Sequence, residues 1–210
     1  LASLWLTTTL GYVISRKDYA YRRVTAFMVF FTMLFNGGLA ATYIWYTKGL
    51  GLQDTLLALI VPGLIAPFNV LLAKGFLQSI PQAIIESAKI DGCGEFKIFV
   101  KFILPLSKPG IATIAMFILL SYWNDWYTSL LYINNDKIVS LQYLLYKIIK
   151  NAEFMTSAMV DPLIRSKMGE IPRISSRMAM CLIAAGPMLA VFPFFQKYFV
   201  KGITIGSVKG

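Results

Sequence analysis

A chain of 210 residues that is 57% hydrophobic and only 14% charged lacks the charge of a soluble domain, where about a quarter of residues are charged. Its net charge of +10 comes from 20 Lys and Arg against 10 Asp and Glu, and the cations sit mainly in short runs between apolar blocks. That distribution suits loops beside anionic lipid and argues against a nucleic-acid-binding surface. There is no histidine, and Cys93 and Cys181 fall in a loop and in an apolar block, so His-based triads, most zinc sites and a disulfide drop out.

Crossing about 30 Å of hydrocarbon takes roughly 20 apolar residues at 1.5 Å each. Residues 1–14 are too short to span and read as the tail of a helix. Leu1 opens directly into apolar sequence without a basic leader or an initiating Met, so the expectation is a chain truncated at its start. Residues 24–46 and 55–77 each predict a full span, charged only at Lys74, which lies near an end and can snorkel. Residues 110–133 predict a third, interrupted by Asp125, and residues 175–200 a fourth, with Arg177 and Lys197 near its ends. The expectation is one membrane domain over residues 1–210, an all-α helical bundle. Gly37-Gly38, Pro62-Gly63, Pro67, Pro187 and Pro193 interrupt these blocks, marking either close helix packing at small residues or broken helices lining a path.

Residues 15–23 hold Arg16, Lys17, Arg22 and Arg23 against Asp18, whereas residues 47–54 hold only Lys48 against Asp54. The positive-inside tendency puts the first loop in the cytoplasm, and alternation then places residues 78–109 inside, residues 134–174 outside and the tail from Lys201 inside. The outer loop carries six cations, but long loops translocate largely regardless of charge.

The loop at 78–109 has its own helical grammar. Ser79 with Gln82 predicts a capping box, with Pro81 in the first turn and a helix running to about Ile90. Asp91-Gly92-Cys93-Gly94 supplies a turn with two glycines able to take positive φ. A second helix from Glu95 would put Phe96, Phe99, Val100 and Ile103 on one face and Lys97 with Lys101 on another, until Pro105 and Pro109 end it. Such a cytoplasmic helix-turn-helix could rest on the membrane domain and meet a soluble partner. In the following span, Asn124 and Asp125 lie about fifteen residues, roughly 22 Å, from the cytoplasmic end, with Trp123, Trp126 and Tyr127 around them. An intramembrane carboxylate is a functional candidate, and aromatic faces with polar groups suit a sugar. The competing readings are a packing hydrogen bond for Asn124 and an interfacial aromatic belt. The outer loop has amphipathic spacing at Leu141, Leu144, Leu145, Ile148 and Ile149.

Glu86-Ser87-Ala88-Lys89-Ile90-Asp91-Gly92, followed by Ile103-Leu104-Pro105-Leu106-Ser107-Lys108-Pro109, resembles the "EAA" loop of permease subunits in type I ATP-binding-cassette (ABC) importers, particularly the maltose-like carbohydrate branch. Trp123-Asn124 and the ending from Gln196 through Gly210 fit the same branch, with Ser87 and Cys93 standing where alanine is usual. The resemblance implies that branch's bundle of six spans, so the first span and part of the second would be absent from this chain. It implies that the loop is a coupling helix inserted into a cleft of a cytoplasmic ATPase, with Glu86 meeting a basic group there. Otherwise Glu86 is a solvated carboxylate paired with Lys89, worth about 0.2–0.5 kcal/mol. Gly92 would permit the turn, Asp91 would cap the second helix, Leu104 and Pro105 would fix where the loop re-enters the membrane, and Ala88 belongs to the same motif. The outer loop would face an extracytoplasmic binding protein or else rest on the membrane surface.

No Gly-x-x-x-x-Gly-Lys-Ser/Thr phosphate loop occurs in the chain, and Gly92-x-Gly94 lacks the third glycine of a dinucleotide fingerprint. The expected protein is therefore a multi-pass subunit of a prokaryotic plasma membrane, with no catalytic site, metal or cofactor of its own. It would work with a second homologous permease, two ATPase subunits that use ATP and Mg, and a solute-binding protein, importing an oligosaccharide. An ending of the form at 202–210 hints at the polyuronide and complex-glycan side. The alternative is an ion-coupled secondary transporter using Asp125 as a relay; a membrane enzyme is disfavoured by the missing histidine and clustered carboxylates.

Overall fold

The computed structural model describes residues 1–155 and 173–206, and every regular element among them is helical. In chain order these are α1 (Ala2–Ser15), α2 (Arg22–Leu34), α3 (Leu39–Ile44) continued by a π turn Trp45–Gly49, and α4 (Leu56–Ile60) with a 3₁₀ turn Val61–Gly63. There follow α5 (Pro67–Gln78), α6 (Gln82–Ile90), α7 (Glu95–Ile98) continued by a π turn Phe99–Ile103, and α8 (Leu104–Leu106). The rest are α9 (Lys108–Trp123), α10 (Tyr127–Tyr132), α11 (Leu141–Met155) and α12 (Arg173–Gly206).

Three blocks expected as single spans or as loop and span are bent pairs. The axes of Arg22–Leu34 and Leu39–Gly49 differ by 109°, those of Leu56–Gly63 and Pro67–Gln78 by 49°, and those of Glu95–Leu106 and Lys108–Trp123 by 86°. The first bend falls at Gly37-Gly38, where Gly38 takes φ +83° and its N–H is accepted by Asn36 Oδ1. The second falls before Pro67, whose ring pushes Ala66 into extended backbone at φ −93°, ψ 117°. Pro187 and Pro193 break nothing: α12 runs through both. A lone proline removes one ladder bond, and in an apolar helix the remaining bonds hold the rod together. Within α12, Met178–Gln196 is by itself long and apolar enough to cross a membrane, and each bent pair meets the same test when taken as one span.

The apolar surface corroborates the bilayer reading of the composition. Among the described residues α2 buries none of its own side chains, and the Met178–Gln196 stretch is equally bare. Phe27, Phe31, Leu34, Leu182 and Leu189 are all more than 40% exposed. A protein in water rarely shows contiguous apolar patches of this extent, so these faces are built for lipid or for another subunit.

By contact the chain forms two compact units. One comprises Leu1–Thr42, Ile60–Ser121 and the described residues from Phe194 onward, the other Tyr43–Leu59 and the described part of Tyr122–Pro193. In the first, α1 lies against α5 so closely that a Cβ on Gly11 would sit 2.6 Å from the Ala73 Cβ. Small residues at that crossing let two backbones meet, the device membrane helices use where the hydrophobic effect gives no drive. The core of this unit, Tyr12, Leu77, Ile85, Ala88, Ile98, Phe99 and Ile103, joins the ends of α1 and α5 to α6 and α7. In the second unit, Ala58, Tyr132 and Ile133 form the core, with the Tyr43 and Tyr132 rings stacked at 5.8 Å.

Candidate coupling site

The helix-turn-helix at 78–109 is present with different joints from those the sequence suggested. α6 starts at Gln82 with Pro81 as N-cap and no side-chain cap, because the Ser79 hydroxyl instead donates to Phe76 O at 2.7 Å and closes the end of α5. The capping box is therefore not made. α6 ends at Ile90 as expected, and Gly92 takes φ +74°, a conformation costly for any residue with a Cβ. Gly94 has ordinary φ −69° and is the N-cap of α7, which has no side-chain cap; Asp91 does not cap it. Asp91 ends α6, its N–H donating to Ser87 O, while the Gly92 N–H donates to Lys89 O.

The second helix turns a different face inward. Ile98, Phe99 and Ile103 are buried while Phe96, at 70%, and Val100 are exposed. The π turn Phe99–Ile103 is the reason: its extra residue per turn shifts the apolar stripe off the 3.6-residue register. Pro105 does not end this helix, which runs through it to Leu106. The chain turns at Ser107, just ahead of Pro109, whose missing N–H leaves one bond out of the first turn of α9.

The motif residues divide by exposure. Ala88 is 2% exposed, packed in the core with Tyr12 and Ile98, and Leu104 packs partly against the same cluster. Glu86, Asp91, Gly92 and Pro105 are on the surface. Among the described residues Glu86 has no hydrogen bond or ion pair, so its carboxylate stands free. The alternative Glu86–Lys89 pair is not made, because Lys89 is taken elsewhere.

Lys89 Nζ donates to both Asp18 Oδ2 and Glu95 Oε1. Arg16, only 6% exposed, reaches the same two carboxylates through Nη2 at 2.7 and 3.3 Å. The Tyr12 hydroxyl donates to Glu95 Oε2 at 3.0 Å. Two cations, two carboxylates and a phenol thus tie α6 and α7 to the end of α1. The Lys89 hydrogen bond, with Arg16 beside it, holds the Asp18 carboxyl below its usual range. Burial pushes the Glu95 carboxyl up, but hydrogen bonds from Lys89 and Tyr12 and the Arg16 charge outweigh it and leave the group below its usual range. Lys89 is held above the usual lysine value by its bonds to Asp18 and Glu95. Sequence reasoning counted Arg16 and Asp18 only as loop charges. Nothing local could have paired them with Lys89 and Glu95, more than seventy positions away.

The second candidate group lies in the other unit. α9 stops at Trp123, so Asn124, Asp125 and Trp126 occupy a break and not the interior of a straight span. Asp125 Oδ1 accepts the Thr128 N–H at 2.9 Å, capping the start of α10, and its carbonyl accepts from Ser140 Oγ at 2.9 Å. The Trp123 indole donates across to Ala184 O in α12 at 2.9 Å, so Trp123 makes the interhelical bond considered for Asn124, which is exposed. Trp126 stacks on Tyr146 of α11 with ring centroids 4.5 Å apart and meets Tyr127 edge-on at 5.7 Å. Also in this unit, and missed by sequence reasoning, Asp54 accepts the N–H groups of Asn134 and Asn135 and the Asn134 side-chain amide. These bonds hold the Asp54 carboxyl below its usual range. Of the amphipathic stripe on α11 only Leu145 is buried; Leu141, Leu144 and Ile148 are exposed. The outer-loop residues 156–172 and the ending 207–210 lie outside the described residues.

Described residues whose regular elements are all helical, with broad exposed apolar faces and a helix-turn-helix on which Glu86 stands free, have the form of a type I importer permease. Residues 5–205 match the family described as "Binding-protein-dependent transport system inner membrane component", and the chain belongs to it. It is similar to the "Polygalacturonan/rhamnogalacturonan transport system permease protein YtcP" of Bacillus subtilis (strain 168), 43% identical over 99% of this chain and 71% of that protein. It is 42% identical to "Protein LplC" of the same organism, over 99% of this chain and 68% of the relative. Its fold matches a chain of a bacterial ABC transporter involved in import of the acidic polysaccharide alginate, with TM-score 0.80 and 26% identity over 94% of this chain and 69% of that one. One relative is named a transport-system permease and the solved structure is an ABC importer, and nothing among them supports the ion-coupled alternative.

Proposed function

We propose that this permease carries oligosaccharides of acidic or complex polysaccharides inward, with α6 as the coupling helix and Glu86 as its contact to an ATPase subunit. The observation that carries the coupling role is the free, exposed Glu86 on a helix whose opposite side, Ile85 and Ala88, is locked into the core. A push on that helix reaches α1 directly, through Tyr12 packing and through the Arg16–Glu95 and Lys89–Asp18 pairs. The chain has no phosphate loop, so the hydrolytic energy comes from partner subunits.

In the working complex a second, homologous permease completes the path, two ATPase copies bind ATP and Mg at the cytoplasmic face, and a binding protein delivers the sugar outside. Trp126, Tyr127 and Tyr146 offer ring faces of the kind that stack on sugars, with Asn124 beside them as a hydrogen-bonding group. The polyuronide and rhamnogalacturonan names of the similar proteins support the substrate class. The test is purification of the tagged chain from its native membrane followed by reconstitution into vesicles. ATPase subunits should copurify, and ATP with the binding protein should drive uptake of oligogalacturonides. Ion-driven uptake without ATP would overturn the reading.

A further inference from the structure

Beside the coupling helix, in the same compact unit, is a cavity of about 470 Å³ at the joint between the end of α1, the start of α2 and the α5–α6 turn. Its chemistry is lopsided. Arg16, Lys17 and Arg22 line it, and no carboxylate does. Lys17 and Arg22 have no ion pair among the described residues, in contrast to Lys89. Arg16 is 94% buried; its Nη2 is committed to Asp18 and Glu95, whereas Nη1 is buried with no partner. A buried guanidinium N–H without an acceptor costs free energy that an anion in the cavity would recover. Pro81 and Gln82 also line the cavity, and the first turn of α6, with no side-chain cap and no acidic residue, adds unsatisfied N–H groups at the positive end of a helix. The remaining wall is amphipathic, with Leu77, Ile80 and Ile85 beside Ser79.

We infer that this cavity binds a phosphate-bearing anion through Arg16, Lys17 and Arg22, either the headgroup of an anionic phospholipid or a soluble phosphate ester. Apolar and cationic walls together match a phosphoglycerol group entering from the bilayer edge, and occupancy there would brace α6 against α1. The inference rests on the proposed function for its placement at the cytoplasmic leaflet.

The experiment uses the complete transporter in neutral-lipid nanodiscs, titrated with phosphatidylglycerol, with glycerol 3-phosphate and with inorganic phosphate, and read by thermal melting. Phosphatidylglycerol should raise Tm by a few degrees, and Lys17→Gln/Arg22→Gln should remove at least half of that rise. Arg16→Lys, which keeps the charge but lacks a second amino group, should weaken the apparent affinity several-fold. A variant-sensitive rise with the lipid alone identifies a headgroup site, and one with glycerol 3-phosphate as well identifies a site for soluble esters. The same response in wild type and double variant to every probe overturns the inference. ATP-driven uptake by the same samples separates the two readings. Active uptake with no variant-sensitive binding sinks only the site, and variant-sensitive binding without ATP-driven uptake sinks only the transport reading.

Discussion

The α6–α7 hairpin and the Trp123–Tyr127 segment use their acidic side chains in opposite ways. In the hairpin, Glu95 is bound by Arg16, Lys89 and Tyr12, while Glu86, on the exposed side, is bound by nothing among the described residues. In the other segment Asp125 is engaged by the backbone of the helix it precedes, as Asp54 is by Asn134 and Asn135. A carboxylate satisfied inside its own chain fixes shape. One left unsatisfied on a rigidly seated helix is available to a partner.

That contrast can be broken experimentally. The largest effect is expected at Glu86: Glu86→Ala should lower ATP-driven uptake in vesicles at least tenfold while leaving Tm unchanged, since the exposed side chain makes no hydrogen bond or ion pair among the described residues. A fall in Tm that accounted for the lost uptake would erase the distinction. Next comes Arg16→Met, which strips Asp18 and Glu95 of a buried cation. Because those carboxylates are about half exposed, the loss should be about 1–3 kcal/mol, below that of a fully buried pair, and a denaturant titration measures it.

At Asp125 the cap predicts about 1 kcal/mol lost in Asp125→Ala and almost none in Asp125→Asn, since asparagine caps equally well. Uptake should survive Asp125→Asn; abolished uptake would give the carboxylate charge a role beyond the cap. Gly92→Ala should cost a similar or smaller amount, about 1 kcal/mol, from forcing a Cβ into φ +74°. The smallest effect concerns pH. Asp18 and Glu95 are depressed in the folded state, so their contribution is full above the unfolded carboxylate range, about pH 4, and fades as pH falls through their folded values. Lys89 is raised, so its share is full below about pH 10 and fades as pH rises through its folded value. Tm should therefore be flat between these limits as far as this network is concerned, and Lys89→Met should flatten the acid edge.

The sequence and the structure divide the hairpin between them. The run Glu86 to Gly92 announced a helix, a turn and a surface glutamate, and α6 ends at Ile90 with Gly92 in the left-handed region, because glycine and helix-stop chemistry act within a few residues. The inward face of the second helix was misread, since a π turn changes the period on which the pattern of Phe96, Phe99, Val100 and Ile103 depended. Ser79 was misassigned for a related reason: a hydroxyl between two helices can close the one behind or open the one ahead, and only their packing decides.

By itself the sequence determined that this chain is helical and apolar, that residues 78–109 carry a helix-turn-helix with a permease motif, and that no phosphate loop occurs in its residues. Those properties follow from composition, local periodicity and contiguous residues. Tertiary structure decided which carboxylates are occupied, that Asp125 lies at a helix break, that glycines and Pro67 bend the spans while Pro187 and Pro193 do not, and that Arg16 faces a cationic cavity. Each of these depends on groups far apart in the chain, or on whether neighbouring bonds can hold a helix straight, and no local pattern encodes either.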